Sequence, residues 1–185
     1  RQMCIRDRYK NEIDLLRADI PEITEIPVIK FMEAKEIIMK KFKYQPSDMK
    51  DFDPEEEQLL GKYAKKQFNS DFIFVTHYPS KKRPFYTMDD PEDPEYTLSF
   101  DLLFRGMEIT SGGQRVHDYN AQVEKMKRLG MNPEEFDTYL MLHKYGAPPH
   151  GGLGLGPERL TMHLLGFKNV REAAMFPRDI NRVAP

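Results

Sequence analysis

Three stretches carry residues whose types and spacing could do chemistry. The first runs Gly151-Gly152-Leu153-Gly154-Leu155-Gly156-Pro157-Glu158-Arg159-Leu160. Four glycines within six residues let another group approach the backbone closely. Pro157 opens a helix, so the positive helix end and Arg159 lie beside this bare strand, an arrangement that suits an anion. No Gly-Lys-Ser/Thr follows, which excludes a P-loop, and the glycine spacing makes a poor dinucleotide fingerprint. The same residues also read as a glycine strand packed on a helix, with Arg159 in an ordinary ion pair.

The second stretch, 100–117, holds Asp101, Glu108, Ser111, Gln114 and Arg115. Glu108 sits between Met107 and Ile109, where a carboxylate needs a cation or a donor. Carboxylate plus hydroxyl is an oxygen set that suits Mg²⁺, which keeps waters and takes substrate phosphates. Arg115 offers a planar fork for a carboxylate or phosphate. Glu108 and Ser111 are three apart, so a straight strand would point them to opposite faces. Either Gly112-Gly113 or a bulge must re-aim one of them. The alternative is a solvated strand face with surface ion pairs. The third stretch, His77 to Tyr86, is a basic, proline-stiffened loop with aromatics that could meet a phosphate or a nucleotide. Three successive cations, Lys81, Lys82 and Arg83, equally describe a wet loop.

The elements that must position these groups follow from periodicity and punctuation. A short helix is expected within Tyr9–Ile20, and an amphipathic one over Phe31–Phe42. Asp53 as N-cap, Pro54 at the first helical position and Glu55, Glu56 and Glu57 in the first turn mark a further helix start. Phe72–Thr76 reads as a buried strand. A proline-rich loop follows over Pro79–Pro94, then strands over Tyr96–Phe104 and Met107–Thr110, with a bend at Gly112-Gly113. Helices are expected at Tyr119–Leu129, after Asn132-Pro133, and at Pro157–Leu165, with a strand over Gly151–Gly156. The helices do not alternate strictly with the strands, so the fold expected is α+β, a largely antiparallel sheet flanked by helices.

Composition narrows the function classes. The 185 residues carry 28 Lys+Arg against 30 Asp+Glu, a net charge of −2, with no basic field to announce a free-standing nucleic-acid binder. Mean hydropathy is −0.67. No apolar run approaches the roughly 18 residues of a membrane span. One cysteine and five scattered histidines leave no disulfide framework and no structural zinc set. With no signal-peptide stretch at Arg1–Arg8, a cytoplasmic setting is expected. Residues 1–8 read as an atypical lead and 9–185 as one domain.

Taken in order, His77-Tyr-Pro…Arg83-Pro-Phe-Tyr-Thr87, Phe100-Asp-Leu-Leu103, Glu108-Ile-Thr-Ser-Gly-Gly-Gln-Arg-Val-His117, Lys144-Tyr-Gly-Ala-Pro-Pro-His-Gly-Gly152, Gly154-Leu-Gly-Pro-Glu-Arg-Leu160 and Met175-Phe-Pro-Arg-Asp179 resemble the C-terminal part of the catalytic domain of class II aspartyl-tRNA synthetases of the archaeal/eukaryotic type. The resemblance runs from about Pro27 to Pro185. It implies a domain that activates L-aspartate with ATP as aspartyl-adenylate, transfers it to tRNA(Asp), and dimerises. Whether tRNA(Asn) is a second acceptor stays open. By position, the resemblance implies Glu108, Ser111 and Asp101 at Mg²⁺, and Ser111, Gln114 and Arg115 at aspartate, with Arg115 reading its side-chain carboxylate. It further implies Glu108, Gly156, Pro157, Glu158 and Arg159 at ATP, with Glu108 and Arg159 as the catalytic groups.

The chain departs from the family pattern in places. An anticodon-binding domain and the family's first two motifs are not found in it, so a fragment inactive on its own is expected. Pro157 stands where Leu or Ala is expected, and Leu153 where an aromatic is usual. The alternatives are an asparaginyl-tRNA synthetase, a synthetase-derived asparagine-forming enzyme, or a non-catalytic paralogue serving as a binding module. Arg115 within Gln-Arg-x-His favours a negatively charged amino-acid side chain over a neutral amide.

Overall fold

The computed structural model describes residues 2–23 and 25–183. Two short helices, α1 (Gln2–Arg8) and α2 (Lys10–Leu16), open the chain. Arg6 in the lead donates to Ile20 O at 2.6 Å. Helix α2 stops before the expected Ile20, because Arg17 takes a left-handed φ of 50° and turns its N–H back onto Asp14 and Ile13.

Strand β1 (Val28–Lys30) runs directly into α3 (Phe31–Phe42). Helix α4 (Pro54–Phe68) starts where its capping residues dictate. The Asp53 side chain accepts from the Glu55 and Glu56 N–H groups, and Glu56 returns the bond to Asp53 N, a full capping box. Then come β2 (Phe72–Thr76), β3 (Ser99–Phe104), β4 (Met107–Arg115), α5 (Tyr119–Arg128), a 3₁₀ turn at Pro133–Phe136, α6 (Asp137–Lys144), β5 (His150–Leu155) and α7 (Pro157–Leu165).

The strands form one sheet in the order β1-β2-β3-β4-β5. Only β1 and β2 are parallel, so the sheet is largely antiparallel, as expected. Two boundaries differ from the sequence reading. Tyr96 and Thr97 precede β3 and bridge instead to Pro79 and Asp89 of the long loop. Gly112 and Gly113 make no bend: they lie inside β4, opposite Phe100 and Ser99 on one side and Leu153 and Gly152 on the other. Their glycine character answers crowding. A Cβ on Gly112 would come 2.8 Å from Gly152 O, and one on Gly113 2.7 Å from Leu98 O.

Strand alternation divides the core between the two sheet faces. Ile73, Val75 and Leu103 pack with Ile38, Leu60 and Ala64 of α3 and α4. Phe72, Phe104 and Ile109 meet Leu160 and Leu164 of α7 on the other side. A buried ion pair fastens α3 to α4: Lys35 Nζ lies 2.6 Å from Glu56 Oε1 and also donates to the Asp48 and Asp51 carbonyls.

Helix α4 sits unusually close to the β3–β4 turn. A Cβ on Gly61 would lie 2.5 Å from Gly106 N, so only hydrogen allows this approach. Gly106 itself has a φ of 80°. Gly61→Ala should therefore cost ~1–3 kcal/mol of stability by forced displacement of the helix. Urea unfolding measures this, and a change below about 0.5 kcal/mol, the range of an ordinary surface substitution, would contradict the close packing.

Candidate active site

The site begins with a register shift. Leu102 pairs with Thr110 but Leu103 pairs with Glu108, leaving Ile109 as an extra residue in β4. Ile109 and Thr110 are consecutive and both buried, which plain alternation forbids. The bulge resolves the spacing problem of Glu108 and Ser111: across it both lie on the face of Asp101, which stands directly opposite Ser111 on β3.

Arg83 binds this group together. Its Nη2 lies 2.6 Å from Asp101 Oδ2 and its Nη1 donates to Ser111 Oγ at 3.1 Å. The guanidinium stacks 3.8 Å over the Tyr78 ring, which packs against Phe31 and Phe52. Burial and the neighbouring Asp101 push the Tyr78 hydroxyl well above its usual pKa. The three-cation run thus divides: Lys82 turns outward to Asp48 at 2.8 Å, and Arg83 turns inward.

Two side chains from distant helices grip the Glu108 backbone on both sides of its Cα at the bulge. Its N–H donates to Glu57 Oε2 of α4 at 3.1 Å, and its carbonyl accepts from Arg159 Nη1 of α7 at 3.0 Å. Burial pushes Glu57 up to about 7. The Glu108 and Asp101 charges add to the rise, against the Glu108 N–H bond and Arg159. Glu108 is likewise raised, by burial and then by Asp101, against Arg159 and Arg83. Three carboxylates and two guanidiniums therefore share one strip of surface.

At the other end of β4 lies a cavity of about 270 Å³ lined by Arg83, Tyr86, Thr87, Ser111, Gln114, Arg115 and Gly152 among others. The Arg115 guanidinium lies 5.2 Å from the Tyr86 ring centroid. It passes so close to β5 that a Cβ on Gly152 would sit 3.0 Å from it. Among the described residues no carboxylate pairs with it: Asp118 instead caps α5 through Ala121 N at 2.8 Å. Gln114 reaches Met88 Sδ at 3.1 Å. Helix α5 holds the cavity wall from behind, Gln122 Nε2 donating to Phe85 O and Lys125 Nζ to Thr87 O and Asp89.

The sequence-expected residues therefore fall into two neighbouring groups. Ser111, Gln114 and Arg115 line the cavity, and Asp101, Glu108 and Arg159 form the charged strip, with Ser111 common to both through Arg83. Gly156 is the N-cap of α7, Pro157 its first residue, and Glu158 lies exposed in its first turn. Sequence reasoning missed Arg83 and Glu57 as site residues. The cation run signalled the first only weakly; Glu57 looked like one more acid at a helix start.

The donors suit Mg²⁺ of the kind that shares its shell with a substrate. Asp101 is 7% exposed and its Oδ1 accepts no hydrogen bond, a buried carboxylate oxygen left open for a cation. Among the described residues no group of three His, Cys, Asp or Glu could hold a metal alone. Two carboxylates and a hydroxyl need further oxygens from phosphate and water, which is how Mg²⁺ is usually held in phosphoryl-transfer sites.

A largely antiparallel sheet with a glycine-rich last strand, a following helix carrying Arg159, and a carboxylate strip beside an arginine-lined cavity together make up the candidate site. The family "tRNA synthetases class II (D, K and N)" matches residues 4–180, and the chain belongs to it. The chain is 51% identical to the aspartate–tRNA(Asp/Asn) ligase of Thermus thermophilus over 95% of its length, but spans only 41% of that protein. Its structure matches aspartyl-tRNA synthetase from Entamoeba histolytica with a TM-score of 0.91 at 34% identity, over 100% of this chain and 39% of that one. Asparaginyl-tRNA synthetase from Pyrococcus horikoshii matches with a TM-score of 0.87 at 33% identity, over 100% of this chain and 44% of that one. Among the described residues no helix is long and apolar enough to cross a membrane.

The Glu57 carboxyl sets a pH dependence. Its folded pKa stands above its ordinary 4.5, so the stability its protonation brings is full below 4.5 and lost as pH rises through about 7. NMR titration of the ligand-free protein should place the Glu57 transition near 7, and Glu57→Gln should flatten the fall in stability across that window. A Glu57 carboxyl that titrates at its ordinary value would contradict its burial.

Proposed function

We propose that this chain supplies the aspartate- and ATP-binding part of an aspartate–tRNA ligase, a cytoplasmic homodimer in its complete form. The observation that carries the reading is Arg115: a guanidinium paired with no carboxylate among the described residues, held against Gly152 in a cavity beside a carboxylate strip. Its fork matches an aspartate side-chain carboxylate with two parallel charge-assisted bonds. Ser111 and Gln114 stand in the same cavity to orient the amino acid.

In the proposed reaction the α-carboxylate of aspartate attacks the α-phosphorus of ATP, and pyrophosphate leaves. The 3′-terminal hydroxyl of tRNA(Asp) then attacks the aspartyl carbonyl carbon and AMP leaves. No side-chain nucleophile is needed; the protein positions the reactants and neutralises charge. Mg²⁺ at Glu108, Asp101 and Ser111 would supply positive charge to the phosphates. Arg159 extends from the first turn of α7, where Gly156 and Pro157 keep the helix end open for the phosphate tail and Glu158 stands beside it. Its Nη1 bond to the Glu108 carbonyl couples that arginine to the strip. This chain spans 41% of the length of the Thermus relative.

Two substitutions in the full-length protein test the reading. Glu108→Gln should lower Mg²⁺-dependent ATP–pyrophosphate exchange by about 100-fold or more, the scale of losing one preorganised electrostatic group. Unchanged exchange at limiting Mg²⁺ would remove Glu108 from the metal. Aspartate should be activated over asparagine by at least ~100-fold in kcat/KM, because an amide NH₂ sets donor against donor at Arg115. Arg115→Lys should collapse that ratio, since a point charge does not reproduce the fork. A ratio that survives the substitution would show that Arg115 does not read the substrate.

A further inference from the structure

Arg83 is bonded to two of the three groups assigned above to the cation, Asp101 and Ser111. It is a built part of the site. Its side chain is 14% exposed, its plane stacks on buried Tyr78, and it lines the cavity beside Arg115. Arginine stays charged throughout the working pH range.

Arg83 occupies Asp101 Oδ2 and Ser111 Oγ, so a cation that takes the open Asp101 Oδ1 lies beside a fixed positive charge and lacks the second carboxylate oxygen and the hydroxyl as they are now oriented. A cation arriving alone would meet repulsion from that charge, and moving the guanidinium aside would break its two bonds to Asp101 and Ser111 with no anion to replace them. A polyphosphate changes both terms. Its oxygens accept the released fork, and its negative charge offsets the repulsion. The lack of a three-residue metal cage among the described residues points the same way, because the cation needs oxygens from outside the protein.

Resting on the ligase reading, we infer that Arg83 is a resident counter-ion that makes divalent-cation binding at Asp101, Glu108 and Ser111 contingent on a bound polyphosphate. In the ligand-free protein Arg83 holds Asp101 and Ser111 in place of the metal. When polyphosphate binds, the fork transfers to phosphate oxygens, and the second Asp101 oxygen and the Ser111 hydroxyl become available beside the open one. By linkage, cation and polyphosphate tighten one another by the same factor. Arg83 enlarges that factor by weakening the binding of the cation alone.

Mn²⁺ binding followed by electron paramagnetic resonance in the full-length protein, with and without ATP or inorganic tripolyphosphate, tests this. Wild type should bind Mn²⁺ weakly alone and at least ~10-fold more tightly with either polyphosphate, within the usual range of coupling between sites. Arg83→Met should tighten Mn²⁺ binding in the absence of polyphosphate by about the same ~10-fold and shrink the coupling to match. Arg83→Lys, which keeps the charge without the fork, should fall between them. Circular dichroism checks that the variants are folded, and Arg83→Gln gives the same readout if the methionine variant is not. Arg83→Met that weakens Mn²⁺ equally with and without polyphosphate would make Arg83 a strut only; unchanged binding would give it no role at the metal. Either overturns the inference and leaves the ligase reading standing. Wild type that binds no Mn²⁺ even with ATP, or Glu108→Gln that binds it as tightly as wild type, overturns the metal assignment and the inference with it.

Discussion

One extra residue in β4 holds the site together. Side chains along a strand alternate, so Glu108 and Ser111 would face opposite ways if β3 and β4 paired evenly. The bulge at Ile109 shifts the register between Leu102 and Leu103 and sets Glu108 on the face of Asp101 and Ser111. A bulge leaves ladder groups unpaired, and here they are satisfied from outside the sheet. Glu57 takes the Glu108 N–H and Arg159 donates to its carbonyl. Helices far apart in sequence thereby converge on the backbone of one residue, and each brings a charge to the site as it does so.

Those charges are nearly balanced and poorly hydrated. Asp101, Glu108 and Glu57 face Arg83 and Arg159, and burial is the largest influence on both glutamates. Partial burial strengthens the interactions around Asp101, Glu57 and Arg83, while Arg159 reaches the strip from an exposed position. The Arg83 fork keeps the strip from standing bare. The tilted and edge-on cluster of Phe31, Phe52 and Tyr78 beneath Arg83 connects this balance to the main core.

Backbone proximity does the remaining positioning. Gly61 against Gly106 seats α4 so that Glu57 reaches β4, and Gly152 leaves room for the Arg115 guanidinium to lie along β5. At Gly61 the missing Cβ fixes a backbone approach that no side chain would permit, whereas at Gly152 a Cβ would press on the movable Arg115 side chain at 3.0 Å. On the far side of the cavity, Gln122 and Lys125 of α5 hold the 85–89 loop by its carbonyls, so the wall carrying Tyr86 is anchored by buried donors.

Much of this was legible in the residues alone. Asp53-Pro54 at the start of α4, the apolar period of α3, the β-branched and aromatic run of β2, and Pro157 opening α7 are local signals, and the structure follows them. The order of the six segments from His77 to Asp179 was enough to indicate the family, because motif spacing is a property of the chain. The spacing of Glu108 and Ser111 even required a bulge or a kink, although not which. Tertiary structure decided the rest. Whether Gly112-Gly113 bends or runs straight depends on neighbours on both sides of β4. Which cation of Lys81, Lys82 and Arg83 turns inward depends on the Tyr78 ring and the Asp101 carboxylate. Glu57 joins the site only because α4 packs within reach of a bulge 51 residues later in the chain. Local propensity acts over a few residues and is written in the sequence; burial, charge pairing and close approach arise between segments that only folding brings together.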